Sequence, residues 1–214
     1  MSISTPLDER EAAADPFAQF SRWMDEAEQS SRLAAAAALA TAATNGRPSI
    51  RMVLVVAWDD SGFVFHSDYR SRKAIELAAN PNAALLFDWD ERGRQVRIEG
   101  TVAPIAPEES DAYAATRARA ALIVEHASQQ SASVESRSAL LGKVSAVEAA
   151  FGAEPIARPA TWGGYRLRPQ RFEFWQHRDD RLHDRLLYEA QSAMTPDSAT
   201  PASTKNWQRT RLQP

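Results

Sequence analysis

The residues best suited to binding an anion are concentrated in one stretch of the chain. Arg51 lies in an apolar run, and Ser67, Ser71, Arg72 and Lys73 follow it closely. Ser71 precedes a helix-forming segment, so Arg72 and Lys73 would lie in the first turn of a helix. Free N–H groups at a helix N-terminus, joined by Arg and Lys, favour phosphate binding. The alternative is a solvated basic pair beside a serine cap, and the pattern leaves both possibilities open.

A second polar group lies near the C-terminus. Arg181, His183 and Arg185 alternate in the chain, and on a strand all three would point to one face. Two guanidinium groups and an imidazole on one face suit an anionic ligand. The neighbouring aspartates could instead pair with them on a solvated face. The pattern therefore indicates either a ligand site or a charged surface.

Three further groups are polar but unspecific when taken alone. Tyr113 and Arg117 are four residues apart in a helical stretch and would share a face. Arg94-Gln95 begins a predicted strand beside Trp89, and Gln129-Gln130-Ser131 is loop-like. The sequence shows no His/Asp/Glu spacing typical of a metal site and no GxSxG elbow, so it predicts neither a metal centre nor a serine hydrolase.

Composition excludes several classes of protein. The chain has 214 residues, 44% of them apolar and 25% charged, which is typical of a globular protein. It has no cysteine, which excludes disulfides, thiolate metal sites and cysteine nucleophiles. A net charge of −3 argues against a broad nucleic-acid surface, although the chain carries 22 Arg against 3 Lys. No signal sequence or membrane-spanning run is visible, so we expect a cytoplasmic protein.

The elements that must position these residues are mostly strands joined by short hairpins. We predict about eight strands, at 35–43, 49–58, 63–66, 82–89, 94–103, 162–167, 171–176, 182–188 and, as a closing strand, 205–212. Helices are predicted at 16–30, at 71–79 and from 107 to 151 with a break near 127–135. The order favours an antiparallel barrel with peripheral helices. No GxGxxG or GxxxxGK[ST] motif supports a Rossmann or P-loop fold.

Domain organisation is expected to be simple. Residues 1–14 read as a flexible N-terminal arm, and residues 15–214 read as a single domain. Within that domain, residues 191–204 are polar and contain proline, so we expect a mobile loop there.

Taken together, these segments resemble the pyridoxamine 5′-phosphate oxidase family of flavin mononucleotide (FMN) oxidases. The matching stretches keep the family's order: RMVLVV (51–56), FHSDYRSRKA (65–74), LLFDW (85–89), RQVRIEG (94–100), QS (130–131), WGGYRLRPQRFEFWQ (162–176) and RLHDRLLY (181–188). The resemblance implies a mainly β, FMN-binding split barrel with peripheral helices. It also implies a homodimer with flavin sites at the subunit interface.

The resemblance also assigns residues to roles. It implies that FMN is bound by Arg51, Met52, Val53, Leu54, His66, Ser67, Ser71, Arg72, Lys73, Gln95, Gln130, Ser131, Trp175 and Arg185. It places the substrate against Val56, Tyr113, Arg117, Ala121, Arg181 and His183. Arg181 and His183 would position the substrate at the reacting centre, and no obligatory base is assigned.

Two departures from the vitamin B6 oxidases bear on the substrate. Val56 stands where those enzymes place a substrate-binding lysine, and Ala121 replaces the serine of a Tyr-x-x-x-Arg-x-x-x-Ser phosphate pattern. A branch of the family that oxidises reduced tricyclic phenazine carboxylates, in phenazine antibiotic biosynthesis, fits this larger and less polar pocket better. We therefore expect hydride transfer from such a substrate to flavin N5, with dioxygen reoxidising the flavin to give hydrogen peroxide. The alternatives are a pyridoxamine/pyridoxine 5′-phosphate oxidase and a non-catalytic flavin-binding protein.

Overall fold

The computed structural model describes residues 6–191 and 206–214. In that part of the chain the strands are β1 (Ala36–Ala42), β2 (Pro48–Asp59), β3 (Gly62–Asp68), β4 (Asn82–Trp89), β5 (Arg94–Pro104), β6 (Trp162–Gln176), β7 (Asp184–Ala190) and β8 (Trp207–Arg211). The helices are α1 (Pro16–Glu28), α2 (Arg72–Ala79), α3 (Pro107–Ala115), α4 (Arg119–Ala127) and α5 (Arg137–Phe151). The predicted mainly β fold with peripheral helices is confirmed.

Six antiparallel strands close a barrel in the order β3-β2-β1-β4-β5-β6, because β6 pairs back onto β3. β7 and β8 continue the sheet from the other end of β6 and lie outside this ring. β6 therefore belongs both to the closed barrel and to its extension, within one continuous sheet. Its first half closes the barrel, and its second half carries the extension.

The structure corrects the prediction that β6 is two separate strands. Residues 162–167 pair with β3, and residues 171–176 pair with β7, while β5 runs alongside both segments. Pro169 lies between the two segments, where β3 has ended and β7 has not yet begun. A proline breaks a strand where the strand needs a backbone N–H to bond to its neighbour, because proline has no N–H to donate. The strand therefore continues through it.

Aromatic side chains fill the barrel and hold α1 against it. Asp15 caps α1 by accepting hydrogen bonds from the first turn, and the helix buries Phe20, Trp23 and Met24. The Phe20 ring lies 4.9 Å from the rings of both Phe63 and Phe87, in edge-on geometry. Edge-on aromatic pairs are favoured beyond the area they bury. This core fixes the barrel against which the polar residues are arranged.

The helical region after β5 has one more break than the sequence predicts. α3 ends at Ala115 and α4 begins at Arg119, so Arg117 lies in a bend between them. The prediction that Tyr113 and Arg117 share one helix is therefore wrong. The bend nevertheless brings them together, with the Arg117 guanidinium carbon 5.9 Å from the centre of the Tyr113 ring.

Two segments were predicted to be flexible, the N-terminal arm over residues 1–14 and the loop over residues 191–204. Of the predicted arm, residues 6–14 are described, and Leu7 is buried with its N–H donating to Asp184. Tyr188 and Arg209 donate to backbone carbonyls of the same segment. The arm's flexibility and the domain bounds stay predictions, and the predicted loop after Gln191 lies largely outside the described residues. Among the helices of the described chain, none is long and apolar enough to cross a membrane.

Candidate functional site

The N-terminus of α2 gathers the predicted anion-binding residues. Ser71 is fully buried and caps the helix by accepting from the N–H of Ala74. The ammonium of Lys73 lies 2.8 Å from the Ser67 hydroxyl and 2.5 Å from the amide oxygen of Gln130. Ser67, Ser71 and Lys73 thus lie together at the N-terminus of α2, where the sequence predicts an anion site.

Lys73 is a buried cation without an anionic partner. It is 7% exposed, and within the described chain its ammonium makes no ion pair with a carboxylate. Burial, helped by the charge of Arg51, lowers its pKa to about 8. A buried charge is normally paired, because an unpaired one is costly. The site therefore fits an anionic group such as the terminal phosphate of FMN.

A buried carboxylate, Glu76, organises the two arginines beside Lys73. Arg51 and Arg72 both pair with it, at 3.2 and 2.8 Å, and Thr41 and Ser49 donate to it as well. Burial opposes its ionisation, but these hydrogen bonds outweigh that effect and lower its pKa to about 2. Glu76 thus stays charged and orients both guanidinium groups at the mouth of the site.

A loop after α4 closes this cluster from the other side. Ser131 has a positive φ of 72°, and its hydroxyl accepts from the backbone N–H of Arg72 at 3.2 Å. The N–H of Gln130 donates to Asp68, the residue after Ser67. Both residues that the resemblance assigned to the cofactor are therefore brought to the N-terminus of α2. Together with Arg51, Ser67, Ser71, Arg72 and Lys73 they form what we call the phosphate cluster.

Three other predicted cofactor residues lie in a row across the sheet extension. Gln95 on β5 is the direct partner of Trp175 on β6, which is in turn the partner of Arg185 on β7. Directly paired residues of an antiparallel sheet share a face. Arg185 is held by Glu173, a buried carboxylate that also pairs with Arg97. The row is a flat surface with an aromatic ring at its centre.

The turn before β7 carries the predicted catalytic residues, but its conformation differs from the prediction. β7 begins only at Asp184, and Arg181 has a positive φ of 65°. The idea that Arg181, His183 and Arg185 alternate along one strand is therefore wrong. The N–H of Leu182 donates to Asp180, so the chain turns here instead of extending. Arg181 and His183 still line one pocket, together with Trp175 and His177.

The bonding of His183 indicates which of its nitrogens carries the proton. The N–H of Arg178 donates to Nδ1 of His183 at 3.1 Å. Because Nδ1 accepts this bond, the neutral imidazole carries its proton on Nε2. The ring lies 4.7 Å from the ring of Trp175, so the indole and the imidazole line the pocket together.

Two predicted substrate residues, Tyr113 and Arg117, lie near a half-buried histidine, His66, beside the start of β6. His66 stacks on Tyr113 at 4.0 Å and on Trp162 at 5.0 Å between ring centres. Neither of its nitrogens has a hydrogen-bond partner in the described chain. Burial, together with the charges of Arg117 and Arg158, lowers the pKa of His66 to about 4. We call His66, Tyr113, Trp162, Arg117 and the adjacent Glu125 the corner cluster.

The two predicted halves of the substrate site lie far apart in one chain. Trp162 borders the corner cluster and Trp175 borders the β6–β7 turn, and both are on β6. At roughly 3.3 Å per residue, the strand between them spans roughly 40 Å. No hydrogen bond or ion pair joins these two groups within the described residues. We therefore expect a small molecule to touch both groups only where a second chain contributes one of them.

The other predicted positions are on β2 and α4. Met52 and Leu54 are exposed, whereas the side chain of Val53 packs on the barrel core. Val56 falls in a β-bulge, because the register between β2 and β3 shifts there. Ala121 lies in the first half of α4 and is partly buried. The structure places these residues without assigning them a ligand.

Sequence reasoning missed three buried carboxylates. Glu76 could have been found, since it follows Arg72 by four residues on a helix, a spacing that favours an ion pair. Glu173 faces Arg97 and Arg185 from neighbouring strands, so its role depends on strand register. Glu125 pairs with Arg117 across the bend between α3 and α4, which no local pattern predicts.

Comparison with known proteins gives a consistent family. Residues 23–151 match the family profile described as pyridoxamine 5′-phosphate oxidase. Residues 162–214 match the profile of a pyridoxine 5′-phosphate oxidase C-terminal dimerisation region. The chain is 47% identical to a pyridoxine/pyridoxamine 5′-phosphate oxidase of Rubrobacter xylanophilus, covering 97% of this chain and 91% of that protein. It is 48% identical to the enzyme of the same name from Burkholderia ambifaria, covering 97% and 93%.

Solved structures agree on the fold. PhzG from Burkholderia lata, solved in complex with tetrahydrophenazine-1-carboxylic acid, is 33% identical, with a TM-score of 0.87 over 100% of both chains. A pyridoxamine 5′-phosphate oxidase-related, FMN binding protein of Nostoc punctiforme is 18% identical, with a TM-score of 0.72 over 94% of this chain and 98% of that one, and supports the fold alone. The predicted split barrel is therefore confirmed, and the chain belongs to the pyridoxamine 5′-phosphate oxidase family.

Proposed function

We propose that the protein is an FMN-dependent oxidase that dehydrogenates a reduced tricyclic phenazine carboxylate. The observation that carries the substrate assignment is the pocket at the β6–β7 turn. It combines the flat rings of Trp175, His177 and His183 with the guanidinium groups of Arg178 and Arg181. A planar, aromatic carboxylate satisfies both features, since rings stack and guanidinium groups pair with carboxylates. PhzG of Burkholderia lata, which aligns over its full length, binds a ligand of this class.

FMN would be held by the phosphate cluster. Arg51, Arg72 and Lys73 would surround the phosphate, and Ser67 and Ser131 would donate hydrogen bonds to it. The match to the family profile supports this cofactor. When bound, FMN supplies two-electron redox chemistry that would couple dehydrogenation of the substrate to reduction of dioxygen to hydrogen peroxide.

A homodimer would complete the site. The corner cluster and the β6–β7 turn cannot meet in one chain, but they can meet across an interface between two copies. β2 offers a suitable face, because Ile50, Met52 and Leu54 alternate along it and are 68%, 63% and 53% exposed. Exposed apolar stripes of this kind mark interaction surfaces. The match of the C-terminal region to a dimerisation profile points the same way.

The chain's own residues would orient the substrate and control its protons. Arg181 would hold the carboxylate, and Nε2–H of His183 would donate a hydrogen bond to it. Since Nδ1 of His183 already accepts from the backbone, the neutral ring offers the substrate a donor and no free acceptor. His183 would thus position the substrate. The proton that leaves the substrate's nitrogen would pass to solvent.

A pyridoxamine/pyridoxine 5′-phosphate oxidase is the second candidate function. It is favoured by the curated relatives, which are 47–49% identical over nearly the whole chain, a higher identity than that to PhzG. Against it stand Val56 in place of the expected lysine and Ala121 in place of the expected serine. Both changes remove polar contacts that a phosphorylated pyridine ring would need.

An anaerobic reduction experiment tests the first proposal. The FMN-loaded protein is mixed with tetrahydrophenazine-1-carboxylic acid, and the flavin absorbance is followed, with dithionite as the positive control. We expect the substrate to bleach the flavin in a single exponential phase. Bleaching by pyridoxine 5′-phosphate alone would instead support the second candidate. If dithionite is the only reductant that works, the protein is a flavin binder without this activity.

A further inference from the structure

We propose that Glu125 is a specificity-determining residue that neutralises Arg117 and thereby excludes phosphorylated substrates from the corner cluster. The inference rests on the proposed function, in that the corner cluster is taken to form one wall of the substrate site. The group admitted there would be uncharged and would carry a hydrogen-bond donor, such as a ring N–H. Nothing in the sequence pattern marks Glu125 for this role.

The geometry places the carboxylate directly on the arginine. Oε1 of Glu125 lies 3.0 Å from Nη2 of Arg117, and the two side chains are 9% and 32% exposed. The guanidinium carbon is also 5.4 Å from the centre of the Trp162 ring, which fixes it against β6. Arg117 is therefore held by an internal carboxylate and an aromatic face at the same time.

Several polar atoms of this cluster lack partners in the described chain. Both carboxylate oxygens of Glu125, Nε of Arg117 and both nitrogens of His66 are buried without a hydrogen bond. The ion pair of Glu125 therefore satisfies charge but not hydrogen-bonding geometry. Buried polar groups are rarely left unpaired in folded proteins. A set of unpaired donors and acceptors in one place is what a ligand with both kinds of group would complete.

Charge decides which ligand is admitted. A phosphate monoester carries nearly two negative charges at neutral pH. Glu125 balances the single charge of Arg117, whereas in the phosphate cluster one carboxylate, Glu76, accompanies three cations. A phosphate therefore meets no net positive charge at this ion pair, and the carboxylate itself repels the anion. Ala121 adds no hydrogen-bond donor on the same side. A neutral heterocycle avoids the repulsion and can donate to the unpaired carboxylate oxygens.

The test is a gain of phosphate binding in a variant of the FMN-loaded protein. In Glu125→Gln the negative charge is removed while the shape is kept. We expect the dissociation constant of pyridoxine 5′-phosphate, followed by perturbation of the flavin spectrum, to fall at least about tenfold. The affinity for unphosphorylated pyridoxine should not change. Glu148→Gln, on α5, is the control and should leave both affinities unaltered.

A gain of affinity cannot arise from structural damage, so it separates selection from folding. If Glu125→Gln does not fold, Glu125→Ala carries the same prediction. Unchanged phosphate binding in the folded variant overturns the inference. If the wild-type protein fails to oxidise the phenazine carboxylate while Glu125→Gln still gains phosphate affinity, the proposed function is wrong. The role of Glu125 in excluding phosphorylated ligands is then still supported. If the wild-type protein oxidises the phenazine carboxylate and the variant gains no affinity for pyridoxine 5′-phosphate, only the role of Glu125 in excluding phosphorylated ligands is wrong.

Discussion

At the scale of single residues, the ammonium of Lys73 is the feature that most needs an anion. It is buried, it has only neutral partners in the described chain, and burial with the charge of Arg51 lowers its pKa to about 8. A phosphate beside it would give the ammonium a negatively charged acceptor, and an ion-paired hydrogen bond is stronger than one to a neutral oxygen.

Replacing this lysine should weaken FMN without weakening riboflavin, which lacks the phosphate. In Lys73→Met we expect the affinity for FMN to fall about 10- to 100-fold, because a charged hydrogen bond contributes about 1.5–3 kcal/mol. Quenching of flavin fluorescence measures both ligands. Lys143→Met, on α5, is the matched control. An equal loss of riboflavin binding would show that Lys73 acts through the fold and not through the phosphate.

The same residue predicts a pH dependence. The folded pKa of Lys73 lies below its usual value of 10.5, so the free protein loses this charge as the pH rises through about 8. Bound phosphate stabilises the charged form and raises the pKa, so binding takes up a proton above that pH. We expect FMN affinity to be flat from pH 7 to about 8 and then to fall up to tenfold for each further unit. In Lys73→Met the profile should be flat, and a flat wild-type profile would contradict the account.

At the scale of elements, closure of the barrel depends on the β3–β6 contact at Gly62. This residue has a φ of 132°, and a side chain there would meet the carbonyl oxygen of Leu167 on β6 at 2.1 Å. The strand pair has no room for a methyl group, and only glycine adopts this backbone readily.

Gly62→Ala should therefore destabilise the protein by about 2–4 kcal/mol, since both strain and a backbone clash oppose it. Gly142→Ala is the control, because Gly142 lies inside α5 with open space around its Cβ position. That change should be neutral or stabilising by about 0.5–1 kcal/mol. Urea unfolding measures both variants. Equal stabilities for the two would show that β3 and β6 tolerate a wider spacing.

Elements defined by local chemistry could be predicted from sequence. The serine cap at Ser71 starts α2 as expected, and the Asn45-Gly46 turn joins β1 to β2, with φ of Gly46 at 79°. The prediction failed where a neighbouring strand determines the bounds of an element. β6 continues through Pro169 because β3 pairs with its first part and β7 with its last part, and the strand predicted over 182–188 begins only at Asp184, after the turn at Arg181.

In the candidate site, too, local sequence predicts some residues, and long-range pairing determines the others. The phosphate cluster was predictable, because most of it follows β3 and opens α2 in consecutive sequence. Glu76, Glu125 and Glu173 were not predicted as site residues. The last two meet their arginines only through the bend at residue 117 and the register of β5, β6 and β7. Long-range pairing of this kind leaves no local periodicity to read.

At the scale of the whole molecule, the proposed site needs residues from two copies of the chain. Ile50→Asp places a charge on the exposed stripe of β2, at a position that is not assigned to FMN. We expect this variant to shift toward the monomer in analytical ultracentrifugation and to lose FMN affinity in parallel, since the site would lie at the interface. Leu141→Asp, at an exposed position on α5, should do neither. A monomeric variant that binds FMN normally would contradict the shared site.

Substrate preference follows from the same assembly. The β6–β7 turn supplies rings and guanidinium groups, and the corner cluster supplies a neutralised arginine. Under the proposed function, the two together would favour a flat carboxylate over a phosphate ester, despite the 47–48% identity to pyridoxine/pyridoxamine 5′-phosphate oxidases. The most direct test compares kcat/KM for oxygen uptake by the FMN-loaded dimer with tetrahydrophenazine-1-carboxylic acid and with pyridoxine 5′-phosphate. We expect kcat/KM to be at least about tenfold higher for the phenazine carboxylate. Equal values, or a higher value for pyridoxine 5′-phosphate, would contradict the proposed function.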